Sequence, residues 1–211
     1  MFNNRITEVV KYIIIINVAV YAITMFLDGK VILGNFFERD ILAFFPFASE
    51  FFRPYQIVSH MFMHSGQSIM HLLFNMMTLY FLGPMVERVW GPKKFLTFYL
   101  LAGFGALAGH VLVGYFIPGL RGSVLGASGA IFGVMVAFAM LFPNTKLMLL
   151  FPPIPVKAKY LVAGLIAIDL ISGLRGRSIF GATNIAHFAH LGGAISGFLL
   201  ILFWNKFKLK F

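Results

Sequence analysis

Six runs of apolar residues, separated by short polar or glycine- and proline-bearing segments, set the rhythm of this 211-residue chain. They lie at roughly 9–27, 69–87, 95–117, 126–142, 157–173 and 185–204. Most approach the ~20 residues that a helix needs to cross a bilayer, and the fourth and fifth are shorter. Lipid cannot satisfy exposed backbone groups, so short spans that hold glycines point to helices shielded by their neighbours. The pattern predicts an all-α membrane protein: a six-transmembrane-helix bundle that takes up residues 1–211 as a single domain. A long loop, 28–68, joins the first and second helices. No small-residue cleavage site follows the first run, VVKYIIIINVAVYAITMFL, which reads as a retained helix and not a signal peptide.

Composition supports this picture. The chain is 60% hydrophobic and 11% charged, with a mean hydropathy of +0.89; soluble domains carry about 25% charged residues. It has no Cys, which excludes disulfides, thiolate metal sites and a cysteine nucleophile. The net charge of +10 is spread in short groups between apolar runs. Such grouping carries topology and not a nucleic-acid stripe, so no nucleic-acid partner is expected. With the N-terminus inside, the inner segments hold Arg5, Lys11, Arg88, Lys93, Lys94, Lys146, Lys157, Lys159, Lys206, Lys208 and Lys210. The outer segments hold Lys30, Arg39, Arg53, Arg121, Arg175 and Arg177. Eleven against six predicts an N-in, C-in arrangement. The halves show no matching repeat, which disfavours a transporter.

Polar residues within the runs change the picture from architecture to chemistry. His71 and Asn75 fall in the first turns of the second run, Ser128 in the first turn of the fourth, and His187 and His190 in those of the sixth. Even-numbered spans run in the same direction, so these residues share one depth. Polar groups in a bilayer are costly unless paired, which makes them functional candidates. Their types match the parts of acyl transfer: Ser128 with His190 as its base, and His71 and Asn75, on one helix face, as donors to an oxyanion. Ser128 opens a helix, where free N–H groups and the positive dipole end gather. Gly126 and Gly129 flank it, and the ridges Gly129-xxx-Gly133 and Gly193-xxx-Gly197 would let the fourth and sixth helices pack closely. Alone, each feature also reads as a helix contact or interhelical glue; their joint occurrence at one depth favours a site. His60, His64, His71, His187 and His190 lack an HExxH pattern and a nearby carboxylate in sequence, so no metal and no other cofactor is expected.

Three segments carry a resemblance to a known family. HLLFNM (71–76), GASGAIFG (126–133) and AHLGGAISG (189–197) resemble the HxxxN, GxSG and AHxxG elements of the rhomboid intramembrane serine proteases, over about Tyr55 to Gly197. The resemblance implies a bundle of rhomboid type, with Ser128 as nucleophile and His190 as base. It implies an oxyanion hole of His71, Asn75 and the Ser128 N–H, and a Phe132 packed near the catalytic histidine. The implied activity is endopeptidase cleavage of transmembrane segments in single-span or other membrane proteins, with the lipid bilayer as the other partner. A catalytically silent relative that binds membrane helices is the rival, and presence of both Ser128 and His190 counts against it. A multi-pass protein of the bacterial plasma (inner) membrane is the expected setting. Two departures stand out. Tyr55-Gln56 occupies the place of the family's frequent Trp-Arg, and His64 and His71 are seven apart where about five is usual. The Phe-rich loop 28–68 is expected to lie partly in the interface, as a gate or a brace. Asp169 lies on the same side as the site; it either orients a histidine as a third triad member or is hydrated or paired with Arg175 or Arg177. The dyad implied by the resemblance favours the second.

Overall fold

A computed structural model of the chain describes residues 5–28, 30–32, 35–36, 39–66, 68–149, 152–175 and 186–207. Among them the expected apolar runs form six long helices: α1 (Glu8–Leu27), α3 (Ile69–Trp90), α4 (Pro92–Phe116), α5 (Ser128–Leu141), α6 (Ala158–Arg175) and α7 (His187–Phe207). A single turn of helix, α2 (Gln56–Ser59), lies in the first loop. Among the described residues, four helices are long and apolar enough to cross a membrane: α1, α3, α4 and the 187–204 part of α7. The fourth run gives a helix of only 14 residues, and the fifth carries Lys159, Asp169 and Arg175 within its 18 residues.

The reading of the chain as wholly α needs a small correction. Two short antiparallel hairpins stand outside the helices, β1 (Val31–Ile32) with β2 (Asn35–Phe36), and β3 (Lys146–Met148) with β4 (Pro155–Lys157). The second closes the turn between α5 and α6, pairing Leu147 with Val156, where prolines 152, 153 and 155 forbid helix.

α7 is the centre of the bundle and packs on α4, α5 and α6. Small residues allow this. A Cβ on Gly193 would fall 1.9 Å from the carbonyl oxygen of Gly129, and one on Gly197 would fall 2.8 Å from Cα of Gly133. The two glycine ridges expected from the sequence therefore meet backbone to backbone. On the other side of α7, a Cβ on Gly109 of α4 would lie 2.8 Å from Cα of Gly192. Van der Waals contact between closely approaching backbones is a main source of helix association in lipid. Tyr99, Phe95, Phe98, Leu79, Val86 and Phe138 fill the rest of the core. Isoleucines and phenylalanines such as Ile23, Phe26, Phe81 and Phe203 face outward and are exposed.

α1 is fixed at its start by a group from another helix. Buried Glu87 of α3 accepts from the Val10 N–H at 3.0 Å, the Val9 N–H at 3.1 Å and the Thr7 hydroxyl. A carboxylate at a helix N-terminus meets both the free amides and the dipole.

The first loop is tied down by Gln56, one of the two residues at which the chain departs from the pattern it resembles. Its buried side chain donates from Nε2 to the carbonyls of Ile41 and Phe51, both at 3.1 Å, and its Oε1 accepts from the Arg53 N–H at 3.0 Å. Phe44 and Val124 exchange backbone hydrogen bonds of 2.8 and 2.9 Å, joining this loop to the segment ahead of Ser128. Residues 29, 33–34, 37–38 and 67 of the loop, which belong to the expected interfacial segment, lie outside the described residues.

Candidate functional site

Ser128 is the first residue of α5, and the path of the chain into it depends on one glycine. Gly126 has φ +116°, a backbone region that side chains disfavour. A Cβ there would also lie 3.0 Å from the His71 ring and 3.5 Å from Ser128 Oγ. Gly126 thus lies between the imidazole of His71 and the serine hydroxyl. Its N–H donates to the His60 carbonyl at 2.8 Å, which pins the turn from below the first loop. Gly129, the next glycine, faces α4, where a Cβ would meet the Ala106 Cβ at 2.4 Å.

The Gly129–Gly193 contact sets α7 so that His190 reaches the start of α5. His190 Nε2 lies 2.7 Å from Ser128 Oγ. Phe132, one turn along from the serine, stacks flat on the His190 ring, with centroids 4.5 Å apart and planes 9° from parallel. Serine and histidine are both partly buried, enough to limit water without excluding it.

Behind His190 stands a group that the sequence reading set aside. Asp169 of α6 is buried, and its carboxylate meets two histidines of α7. Its Oδ2 accepts from His190 Nδ1 at 2.7 Å, and its Oδ1 is bonded to Nδ1 of buried His187. An ionised carboxylate only accepts, so each facing Nδ1 carries a hydrogen. With the hydrogen on Nδ1, a neutral His190 ring presents its Nε2 lone pair to the serine. Arg177, the other partner considered for Asp169, lies outside the described residues.

The remaining candidates lie on α3. His71 is in its first turn and partly buried, and Asn75, one turn further along, is buried. Asn75 Nδ2 is 3.1 Å from Nε2 of His64, a fully buried residue of the first loop that the sequence singles out only by its spacing to His71 and as one of five histidines considered for metal. The His64 and His71 rings meet edge to face at 5.1 Å. Burial, with His71 beside it, pushes the His64 imidazole down to about 3. His64 is therefore neutral, and its Nε2 accepts from the Asn75 amide. His60 is also lowered by burial, partly offset by its 2.9 Å bond to the Gln56 carbonyl.

Among the described residues, one group is dense enough in ligand atoms to suggest a metal: Asp169, His187 and His190, whose ligating atoms lie within 4.8 Å of one another. Those atoms are the same donors and acceptors that bond each other, so the set is chemically complete as a hydrogen-bonded cluster.

Comparison with known proteins matches the Rhomboid domain over residues 52–207, most of the chain. The chain belongs to the rhomboid family. It is 32% identical over 145 residues to Rhomboid protease GluP of Bacillus subtilis, covering 68% of this chain and 25% of that protein. It is 30% identical over 200 residues to the mitochondrial RHOMBOID-like protein 12 of Arabidopsis thaliana, covering 89% of this chain and 55% of that one. Rhomboid protein 1 of Saccharomyces cerevisiae mitochondria is 34% identical over 140 residues, 64% of this chain and 38% of its own length. The chain thus spans about a quarter to half the length of these rhomboid relatives. The rhomboid match begins just before Gln56 and takes in α3 through α7, with His71, Asn75, Ser128, Asp169, His187 and His190, and Gly126 just ahead of α5.

Proposed function

We propose that this rhomboid is an intramembrane serine endopeptidase working through Ser128 and His190. The observation that carries the reading is the 2.7 Å contact from Ser128 Oγ to His190 Nε2. A serine hydroxyl becomes an effective nucleophile when a base takes its proton, and the Nε2 lone pair is aimed to do so. Oγ attacks the scissile carbonyl as its proton passes to Nε2. The tetrahedral oxyanion is met by the Ser128 N–H at the start of α5, His71 and Asn75. Imidazolium then donates its proton to the leaving amine, the C–N bond breaks, and an acyl-enzyme remains. Water enters, gives its proton to His190, and releases the acid with Ser128 restored. The chemistry needs no metal or other cofactor. Gly126 and Gly129 support it by letting His71 and α4 come close, and Phe132 by holding the imidazole face.

The substrates are transmembrane segments of single-span or other membrane proteins, entering near the outer face of a bacterial plasma membrane with both termini of the enzyme inside. Their helices must unwind locally, because an intact helix hides its carbonyls from attack. The shorter α5, mostly buried, packs on α3, α4 and α7, and the charged α6 packs on α5 and α7 with Tyr160, Leu170 and Leu174 facing outward, which completes a six-span bundle.

A purified model single-span substrate in detergent or liposomes tests the reading. Wild type cleaves it, and Ser128→Ala does not; persistence of cleavage in Ser128→Ala removes the nucleophile assignment. Labelling of Ser128 by a fluorophosphonate is lost in His190→Ala.

A further inference from the structure

The reaction above makes no use of Asp169, yet this carboxylate lies directly behind the base. A buried carboxylate costs several kcal/mol unless its oxygens are met by donors. Here both are met, and both donors are imidazole Nδ1 atoms, from His187 and His190. The meeting of α6 and α7 at this level is shaped by a small residue. Gly173 is one turn on from Asp169, and a Cβ there would come 3.1 Å from the Phe188 ring and 3.3 Å from the His187 Cβ. A tie between two helices alone would be satisfied by any ring nitrogen. Instead Asp169 sits on Nδ1 of the same ring whose Nε2 sits on Ser128, so the three side chains lie in series.

We propose that Asp169 is a positioning residue for His190, making the arrangement a Ser128–His190–Asp169 relay with His187 holding the second carboxylate oxygen. This rests on the reading of Ser128 as nucleophile and His190 as base. Asp169 fixes the tautomer with hydrogen on Nδ1, keeps Nε2 free to accept, and faces the positive ring that forms when the serine proton arrives. No proton moves to Asp169; Nδ1 keeps its hydrogen throughout. His187 keeps the carboxylate from swinging away, and Phe132 holds the ring face, so His190 is fixed at both nitrogens and on one face.

Two measurements test this in the full-length protein in micelles. The first is side-chain nitrogen and proton NMR of histidine-labelled wild type, with the His190 signals assigned by their loss in His190→Gln. Neutral His190 is expected as the Nδ1–H tautomer with a strongly downfield proton; an Nε2–H tautomer overturns the proposal. This needs no Asp169 variant, so it decides even where such a variant fails to fold. The second compares wild type with Asp169→Asn, whose amide has one acceptor for two facing Nδ1–H groups, so one histidine must change tautomer. In folded Asp169→Asn, kcat and the fluorophosphonate labelling rate are expected to fall by about 10²–10⁴-fold with KM within about threefold. A folded variant whose kcat stays within about threefold of wild type overturns the proposal. Wild type that neither cleaves nor labels, yet shows the Nδ1–H tautomer, sinks the protease reading and leaves the Asp169–His190 contact standing. An active wild type with the other tautomer sinks only the relay.

Discussion

His64 Nε2 lies 3.1 Å from the side-chain nitrogen of Asn75, so a residue of the first loop sets the orientation of an amide on α3. One Nδ2 hydrogen is engaged by His64, and the proposed mechanism assigns the other to the oxyanion. His64→Ala should free that amide to rotate. Loss of an oxyanion donor costs about 10²–10³ in kcat, and loss of its support should cost a smaller part, roughly tenfold. Asn75→Ala should show the larger loss, and the double variant no more than Asn75→Ala alone. A double-mutant cycle on the model substrate checks this; additive losses would show that the two side chains act independently.

His64 also makes stability depend on pH. Its folded-state value is pushed down from 6.5 to about 3 by burial and by His71 beside it. The unfolded chain therefore binds more protons between those values, and stability rises with pH across them. The contribution is complete above about 6.5 and drains away as pH falls toward 3. Lowered His60 acts in the same direction. Thermal unfolding in micelles should show Tm falling from pH 7.5 to 4.5, with a shallower fall in His64→Asn. Equal slopes in both proteins would assign the acid sensitivity elsewhere.

Phe132 lies flat on His190 with 4.5 Å between centroids. Such pairs contribute about 0.5–1.5 kcal/mol beyond burial, which corresponds to roughly two- to twelvefold in rate if the stack serves the reactive geometry. Phe132→Leu should lower kcat by that amount at nearly unchanged Tm, and Phe132→Tyr should retain it. A Phe132→Leu enzyme with full kcat and lowered Tm would make the ring an ordinary core aromatic.

The long helices were legible in the sequence because length and hydropathy decide what a bilayer accepts: 9–27 became Glu8–Leu27, whereas 126–142 became the shorter Ser128–Leu141, below the length of a span. The Ser128–His190 approach was legible through the two glycine ridges, whose spacing has one physical use. The partner of Asp169 was not. LIAIDLISG shows a lone acid near a helix end, and only the rotation of α6 about its axis decides between interface and interior. Nor was His64, which reaches Asn75 across a loop that no periodicity describes. The usable signal there was His64 itself, a histidine seven residues before His71 in a chain with only six.

The glycine ridge predicts a sharp contrast between two substitutions of one kind. At Gly193 a Cβ would fall 1.9 Å from the Gly129 carbonyl oxygen, a backbone atom that cannot step aside unless α5 and α7 part. Overpacking of this sort costs about 1–3 kcal/mol or more. Because Ser128 is next to Gly129, the separation should also break the contact with His190. Gly164, exposed on α6, has nothing within 4 Å of its would-be Cβ. Alanine there should be neutral or stabilise by up to about 0.5–1 kcal/mol. Gly193→Ala should thus lower Tm and abolish Ser128 labelling, while Gly164→Ala keeps both.

Gln56 gives the last test, of whether the first loop braces the site. Its amide serves the Ile41 and Phe51 carbonyls and the Arg53 N–H at once, from a side chain that is 1% exposed. Truncation to alanine removes the Gln56 partner from the Phe51 carbonyl and the Arg53 N–H and leaves the Ile41 carbonyl with the Tyr55 hydroxyl at 3.3 Å, at about 1–3 kcal/mol for each group that stays dry and unpaired. The loosened loop is linked to the serine segment through the Phe44–Val124 backbone pair and the His60–Gly126 bond. Gln56→Ala should therefore raise protease sensitivity within 41–53 and slow Ser128 labelling together. A loop that opens to protease while labelling stays at the wild-type rate would separate the brace from the site.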